Sequence, residues 1–184
     1  MVNEADLLRR LDRLESLEAI RRLSAAYAQY ADSRDVDSLE ELNVADYRVG
    51  GRTGRDALRE SSRLLLGATA PFRTTVHFAG QSTIDFDEKD RDRATGVVYC
   101  RAEHEFAEEW VVATLQYWDR YRRDDGAWRF EHRALKAFYV ADVLQRPNGP
   151  DRVKRQLTSF GVLGRPEVPE AWPSWTKFWE DETA

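Results

Sequence analysis

Val97-Val-Tyr-Cys-Arg-Ala-Glu-His-Glu-Phe106 is the stretch that decides the fold class. Val98, Cys100, Ala102, His104 and Phe106 alternate with Tyr99, Arg101, Glu103 and Glu105. That two-residue period is the signature of a strand with one buried face. The pattern continues in both directions. Upstream, Thr74 to Phe86 places Val76, Phe78, Ile84 and Phe86 on one predicted face, with His77 on the other, and Asp87–Asp92 reads as a polar turn. Downstream, Val111 to Tyr121 and Trp128 to Val140 flank Arg123-Asp-Asp-Gly126, a hairpin turn whose glycine supplies the positive φ. Together these segments make a long antiparallel meander.

Ahead of Pro71 the period is helical. Asn3 to about Asp32 carries Leu8, Leu11, Leu14, Leu17, Ile20 and Leu23 at intervals of three. Strict three-residue spacing drifts around a helix of 3.6 residues per turn, so a slight break near Leu14–Ser16 is expected. Asp35 to Leu42 reads as a second short helix. Thr53-Gly-Arg-Asp56 resembles a capping box for a third, which runs to Leu66 and stops at Gly67. Helices followed by an antiparallel sheet define an α+β domain, and a curved sheet around a helix makes a cone with a dry interior suited to a small molecule.

The composition of the 184 residues narrows the partners. A net charge of −5, from 28 Lys plus Arg against 33 Asp plus Glu, argues against a nucleic-acid binder, which needs a clustered basic face. No apolar run approaches the roughly 20 residues that span a bilayer, and the N-terminus lacks a signal-like apolar core. The single cysteine, Cys100, offers no internal disulfide and fits a reducing, cytoplasmic setting. With one Cys and three His, no zinc site is expected, and no phosphate loop or nucleophile elbow is present. Six Trp, seven Tyr and eight Phe are enough to line an apolar pocket.

The three histidines differ in setting. His104 shares the apolar face of its strand, so it is neutral or paired with an acid. His77, in Arg73-Thr-Thr-Val-His-Phe-Ala-Gly80, has the small neighbours Thr75 and Ala79 on its own face, which leave room for a ligand or for solvent. His132, in a charged stretch, reads as structural or exposed. Asp32 closes the first long helix, where a carboxylate opposes the macrodipole. Solvation past the helix end is the ordinary explanation. Pairing with a histidine is the functional one, since a carboxylate fixes the imidazole tautomer and raises its basicity. Tyr27 and Tyr30 are packing residues or donors to a ligand carbonyl.

Glu18-Ala-Ile-Arg-Arg-Leu23, Tyr30-Ala-Asp-Ser-Arg-Asp-Val-Asp37, the His-Phe-x-Gly of His77–Gly80 and Tyr121-Arg-Arg-Asp-Asp-Gly-Ala-Trp-Arg-Phe130 resemble the SnoaL-like branch of the NTF2-like superfamily. That branch has a cone-shaped, cystatin-like α+β fold with a curved mixed or antiparallel sheet around N-terminal helices. It includes scytalone dehydratase, hexachlorocyclohexane dehydrochlorinase and bile-acid 7α-dehydratase. The resemblance covers roughly Leu14 to Val143. It implies a catalytic aspartate at Asp32, histidines at His77 and His104, and pocket tyrosines at Tyr47 and Tyr27. Ala31, Leu115 and Tyr117 depart from the scytalone dehydratase pattern.

The resemblance implies a cofactor-independent lyase of dehydratase type acting on a small hydrophobic, ring-containing molecule. Asp32, His77, His104 and Tyr27 are the candidate catalytic residues. Tyr30, Tyr47, Phe106, Trp118 and Phe138 are the candidate substrate-binding residues, and no metal or cofactor is expected. The alternatives are a non-catalytic binding module, and an isomerase or polyketide cyclase using the same residues. Residues 1–143 are expected to form the domain, with 144–184 an extension. Its Trp172, Trp175, Phe178 and Trp179 would close the cone mouth or meet a neighbouring subunit of a dimer or trimer.

Overall fold

The computed structural model describes residues 3–67, 72–144, 146 and 168–183. Helix α1 (Glu4–Ser33) is followed by the short helix α2 (Val36–Glu41), a two-stranded ribbon of β1 (Arg48–Val49) and β2 (Arg52–Thr53), and α3 (Arg55–Leu66). Four long strands come next: β3 (Phe72–Phe86), β4 (Arg93–Phe106), β5 (Glu109–Asp124) and β6 (Ala127–Asp142). A last helix, α4, spans Pro173–Thr183. The large sheet is antiparallel throughout, in the order β3-β4-β5-β6. Helix α1 packs against both of its outermost strands, β3 and β6, so the sheet curls around the helix as a cone.

Helix α1 begins where the Asn3 side chain accepts the Ala5 N–H, with Glu4 and Asp6 in the favourable first turn. It is unbroken, contrary to the expected kink near Leu14–Ser16. The buried stripe is Ser16, Ile20, Leu23, Ser24 and Ala31, while Leu8, Leu11 and Leu14 stand exposed. The drift of the leucine spacing is thus resolved by leaving those first leucines outside the core. At the third helix the expected capping box is absent, because Thr53 is drawn into β2 and Gly54 takes the cap position without a side-chain bond. Gly67 ends that helix as expected, in extended backbone at φ −76°.

Strand β4 keeps the alternation read from its sequence, with Ala94, Val98, Cys100, Ala102 and His104 all buried. The β5–β6 turn places Asp125 and Gly126 at φ 50° and 78°, the two-residue primed turn that matches sheet twist. Strand β3 departs from expectation. Two irregularities, between Phe72 and Thr75 and between Ala79 and Ser82, each shift the pairing with β4 by one residue. Even-numbered residues face inward from Ser82 to Phe86, but odd-numbered ones do from Thr75 to Ala79. Val76 and Phe78 therefore lie outside, Phe78 being 59% exposed, and His77 turns into the cone.

The core has two parts. Ile20, Leu23, Tyr121, Trp128 and Phe130 fill one end with bulky side chains. Toward the other, Ala102, Ala113 and Ala137 stand among Val98, Val111, Leu115 and Tyr117, and these small residues keep the cone open. The described part of the tail meets the outer face of the sheet. The Val168 N–H donates to the Ala137 carbonyl, and Trp172 packs edge-on against Phe138, which stacks on Tyr99. No helix among the described residues is long and apolar enough to cross a membrane.

Candidate active site

The open end of the cone holds a cavity of about 250 Å³. Helix α1 lends it Tyr27 and Ala31, the α2 region Leu39, Asn43 and Tyr47, and α3 Leu58, Ser61 and Ser62. The sheet contributes Phe72, Thr75, His77, Ala102, His104, Leu115, Tyr117, Phe130, Arg133 and Leu135. Most of that lining is apolar, with a few polar groups converging from several elements, the usual make-up of a small-molecule site.

His77 stands in its wall and, behind it, meets Asp32, 45 residues away in sequence. His77 Nδ1 lies 2.6 Å from Asp32 Oδ1, and the His77 backbone N–H donates to Asp32 Oδ2 at 2.8 Å. Thr75 Oγ1 donates to Asp32 Oδ1 at 2.9 Å. Burial alone would raise the Asp32 carboxyl, but the side-chain and backbone bonds from His77, its charge and the Thr75 hydroxyl hold it below its ordinary value. An ionised carboxylate only accepts, so the neutral His77 ring carries its proton on Nδ1 and keeps a basic lone pair on Nε2. The His77 side chain is 8% exposed.

His104 stands beside this pair, its ring centroid 5.7 Å from that of His77 and 4.5 Å from that of Phe72. It is 3% exposed, and its Nδ1 has no protein hydrogen-bond partner. Burial, the largest cause, pushes its pKa down to about 4. At neutral pH it is a neutral imidazole that can donate or accept one bond. This low value has a measurable consequence. Between about pH 6.5 and 4 the unfolded chain binds a proton at His104 that the native state refuses, so stability is full above that window and falls as the pH drops through it. The expected loss is about 3 kcal/mol in urea unfolding, and His104→Asn should flatten the slope. Asp32, held low, loses its contribution only further down, below the ordinary carboxylate value of 3.8.

The cavity also holds an ion pair that the sequence reading missed. Arg133 Nε and Nη2 donate to Asp119 Oδ1 and Oδ2 at 2.8 and 2.7 Å, and the Tyr121 hydroxyl donates to Asp119 Oδ2 at 2.8 Å. The guanidinium lies over the rings of Tyr27, Tyr117 and Phe130 at 4.4, 4.0 and 4.1 Å. Its Nη1 is buried without a partner. Burial alone would lower the Arg133 pKa, but the Asp119 carboxylate more than offsets it and the group stays charged. Burial raises the phenols of Tyr27 and Tyr117, which remain neutral hydroxyl donors.

Of the candidate residues, Asp32, His77, His104, Tyr27 and Tyr47 come together here. Five do not line the cavity, and of these Asp32 stands behind His77 and reaches it only through that ring. Tyr30 lies off the α1 stripe that carries Tyr27 and Ala31 into it. Phe106, at the end of β4, packs against Phe72 with centroids 6.0 Å apart. Trp118 and Phe138 occupy the outer side of the sheet, Trp118 beneath Lys136 Nζ at 4.0 Å. His132 also faces outward, beside Trp118 and Lys136.

The family model described as a SnoaL-like domain matches residues 12–134. The chain belongs to the SnoaL-like family. Its helix-plus-curved-sheet architecture is that of the NTF2-like superfamily. Similar solved structures include a protein of Novosphingobium aromaticivorans assigned as a scytalone dehydratase. It shares 27% identity over 73% of this chain and 92% of that one, with a TM-score of 0.62. An NTF2-like protein with a cystatin-like fold from the same species shares 28% identity over 73% and 90%, with a TM-score of 0.55. The type 3 hexachlorocyclohexane dehydrochlorinase of Novosphingobium barchaimii, at 19% identity over 77% and 99% and a TM-score of 0.62, shares the fold. Among curated proteins there is no match.

Proposed function

We propose that this SnoaL-like chain is a cofactor-independent lyase of dehydratase type, acting on a small, hydrophobic, ring-containing carbonyl compound. The observation that carries the reading is the 2.6 Å contact of Asp32 with His77, the histidine that lines a largely apolar cavity in the open end of the cone. The names of two similar structures, a dehydratase and a dehydrochlorinase, are names of eliminations. His77 Nε2 removes a proton from the carbon next to the carbonyl, and Asp32 stabilises the imidazolium that results. The electron pair moves onto the carbonyl oxygen, where Arg133 Nη1 and the neutral Tyr27 hydroxyl supply donors for the developing charge. Collapse of the enolate forms the carbon–carbon double bond and breaks the bond to the β-hydroxyl. That hydroxyl takes the proton back from His77 and leaves as water. Neutral His104 holds the hydroxyl rather than acting as a cationic acid.

Proton exchange in D₂O tests the first step without knowledge of the natural substrate. A panel of neutral ring ketones, with and without a β-hydroxyl, would be followed by NMR for replacement of the α-proton by deuterium. Enzyme-dependent exchange in at least one ketone, lost in His77→Ala, is the expected result, with water eliminated where the hydroxyl is present. Exchange with retention of the hydroxyl would replace the lyase by an isomerase. Ligands that raise the melting temperature but never exchange would mark a binding module.

A further inference from the structure

Arg34 occupies a position where helices favour glycine. It caps α1 in the left-handed region at φ 63°, with its N–H directed to the Ala31 and Tyr30 carbonyls. Such a conformation costs a non-glycine residue free energy and persists where other contacts over-determine it. Those contacts are specific. Arg34 Nη1 donates to the Ala31 carbonyl and to Thr75 Oγ1, both at 2.7 Å. Nη2 donates to the Phe72 and Arg73 carbonyls at 3.3 and 3.0 Å, at the first irregularity of β3. One guanidinium therefore ties the end of the helix that carries Asp32 to the start of the strand that carries His77.

The direction of the bonds matters as much as their number. A guanidinium can only donate, so Thr75 Oγ1 must accept from Arg34. Its single proton is then left for Asp32 Oδ1, 2.9 Å away. Thr75, 4% exposed, has little freedom to do otherwise. Asp32 in turn receives the Thr75 hydroxyl and His77 Nδ1–H on Oδ1 and the His77 backbone N–H on Oδ2.

We propose that Arg34 is a positioning residue that acts through Thr75 to lock Asp32 against His77 and so selects the His77 tautomer with Nε2 free. It touches neither the imidazole nor the cavity. The proposal rests on Asp32 and His77 forming the proton-transfer pair, and its test reads the ring rather than turnover. With three histidines in the chain, ¹⁵N-labelled imidazoles resolve individually, assigned through His104→Asn and His132→Asn. Spectra are recorded at a pH where the rings are neutral.

In the unaltered protein His77 is expected as the Nδ1–H form. Arg34→Met and Thr75→Val should each lower the ratio of Nδ1–H to Nε2–H by about tenfold, the size of one lost hydrogen bond to a charged group. The double variant should fall no further than either single one, and Thr75→Ser should restore the ratio. Arg34→Lys, with one nitrogen in place of the fork, should not restore it fully. If Arg34→Met fails to fold, the nearly isosteric Thr75→Val reads the same relay. An unchanged ratio in folded Arg34→Met, or in Thr75→Val, would reduce Arg34 to a structural clamp and overturn the proposal. An Nε2–H form in the unaltered protein would instead overturn the Asp32–His77 reading on which it stands.

Discussion

Asp32→Asn is expected to reduce turnover roughly 10⁴-fold while leaving the fold intact, the scale seen when a carboxylate that orients a histidine base becomes an amide. The asparagine can still accept the His77 backbone N–H, which reaches Oδ2 at 2.8 Å. What it presents toward Nδ1 is the difficulty. An amide nitrogen facing Nδ1 donates to it, which drives the ring proton to Nε2 and removes the lone pair that His77 offers the substrate. His77→Ala should cost as much, because in the proposed mechanism the two residues act as one unit, whose effects do not add. Circular dichroism and thermal unfolding check that both variants fold. Turnover within tenfold of the unaltered protein in either folded variant would sink the proton-transfer reading. His104→Asn is expected to be milder, since a neutral side chain that holds a hydroxyl is replaced by another that can do the same.

The second large effect concerns stability. Asp119→Ala leaves the Arg133 guanidinium buried under Tyr27, Tyr117 and Phe130 with no counter-charge and strips the Tyr121 hydroxyl of its acceptor. Removing one partner of a buried ion pair costs about 3–5 kcal/mol. For a chain of this size that is a fall of roughly 6–20 °C in Tm. Replacing both partners, with Arg133→Met beside Asp119→Leu, should recover a good part of that loss, because two matched apolar groups leave no isolated charge. The double variant would nonetheless be inactive in proton exchange, having lost the donor at Nη1. A single Asp119→Ala protein that melts within about 2 °C of the unaltered one would mean that the pair is not held as a buried charge.

How far the site could be read in advance varies residue by residue. Asp32 was visible because an acid at a helix C-terminus needs a partner, and His104 because it kept phase with Val98, Cys100 and Ala102. His77 was assigned to the face opposite Val76, Phe78, Ile84 and Phe86, and no single flat strand satisfies what the structure shows. Two inserted residues in β3 reverse the phase twice, and a bulge leaves no mark in the alternation of side chains. The Arg133–Asp119 pair was hidden for the same reason. Counting back from the hairpin, where Asp124 pairs with Ala127, sets Asp119 opposite His132. A shift between Arg120 and Tyr121 brings Arg133 there instead. A charged residue in phase with Leu115, Tyr117 and Tyr121 on β5 was the one available sign.

Local periodicity by itself determined the first three helices, the four long strands and the antiparallel meander, because backbone geometry imposes periods of 3.6 and 2 on whatever must be buried. The hairpin turn was likewise fixed by Asp125 and Gly126, which tolerate positive φ. Only the tertiary structure decided which face of β3 points inward, which aromatics wall the cavity, and which charges meet inside it. These depend on register between segments distant in the chain, where a slip of one residue moves every side chain to the other face. Trp118 and Phe138 were placed outside by that register, and His77 and Arg133 were brought to one cavity by it, with Asp32 behind His77.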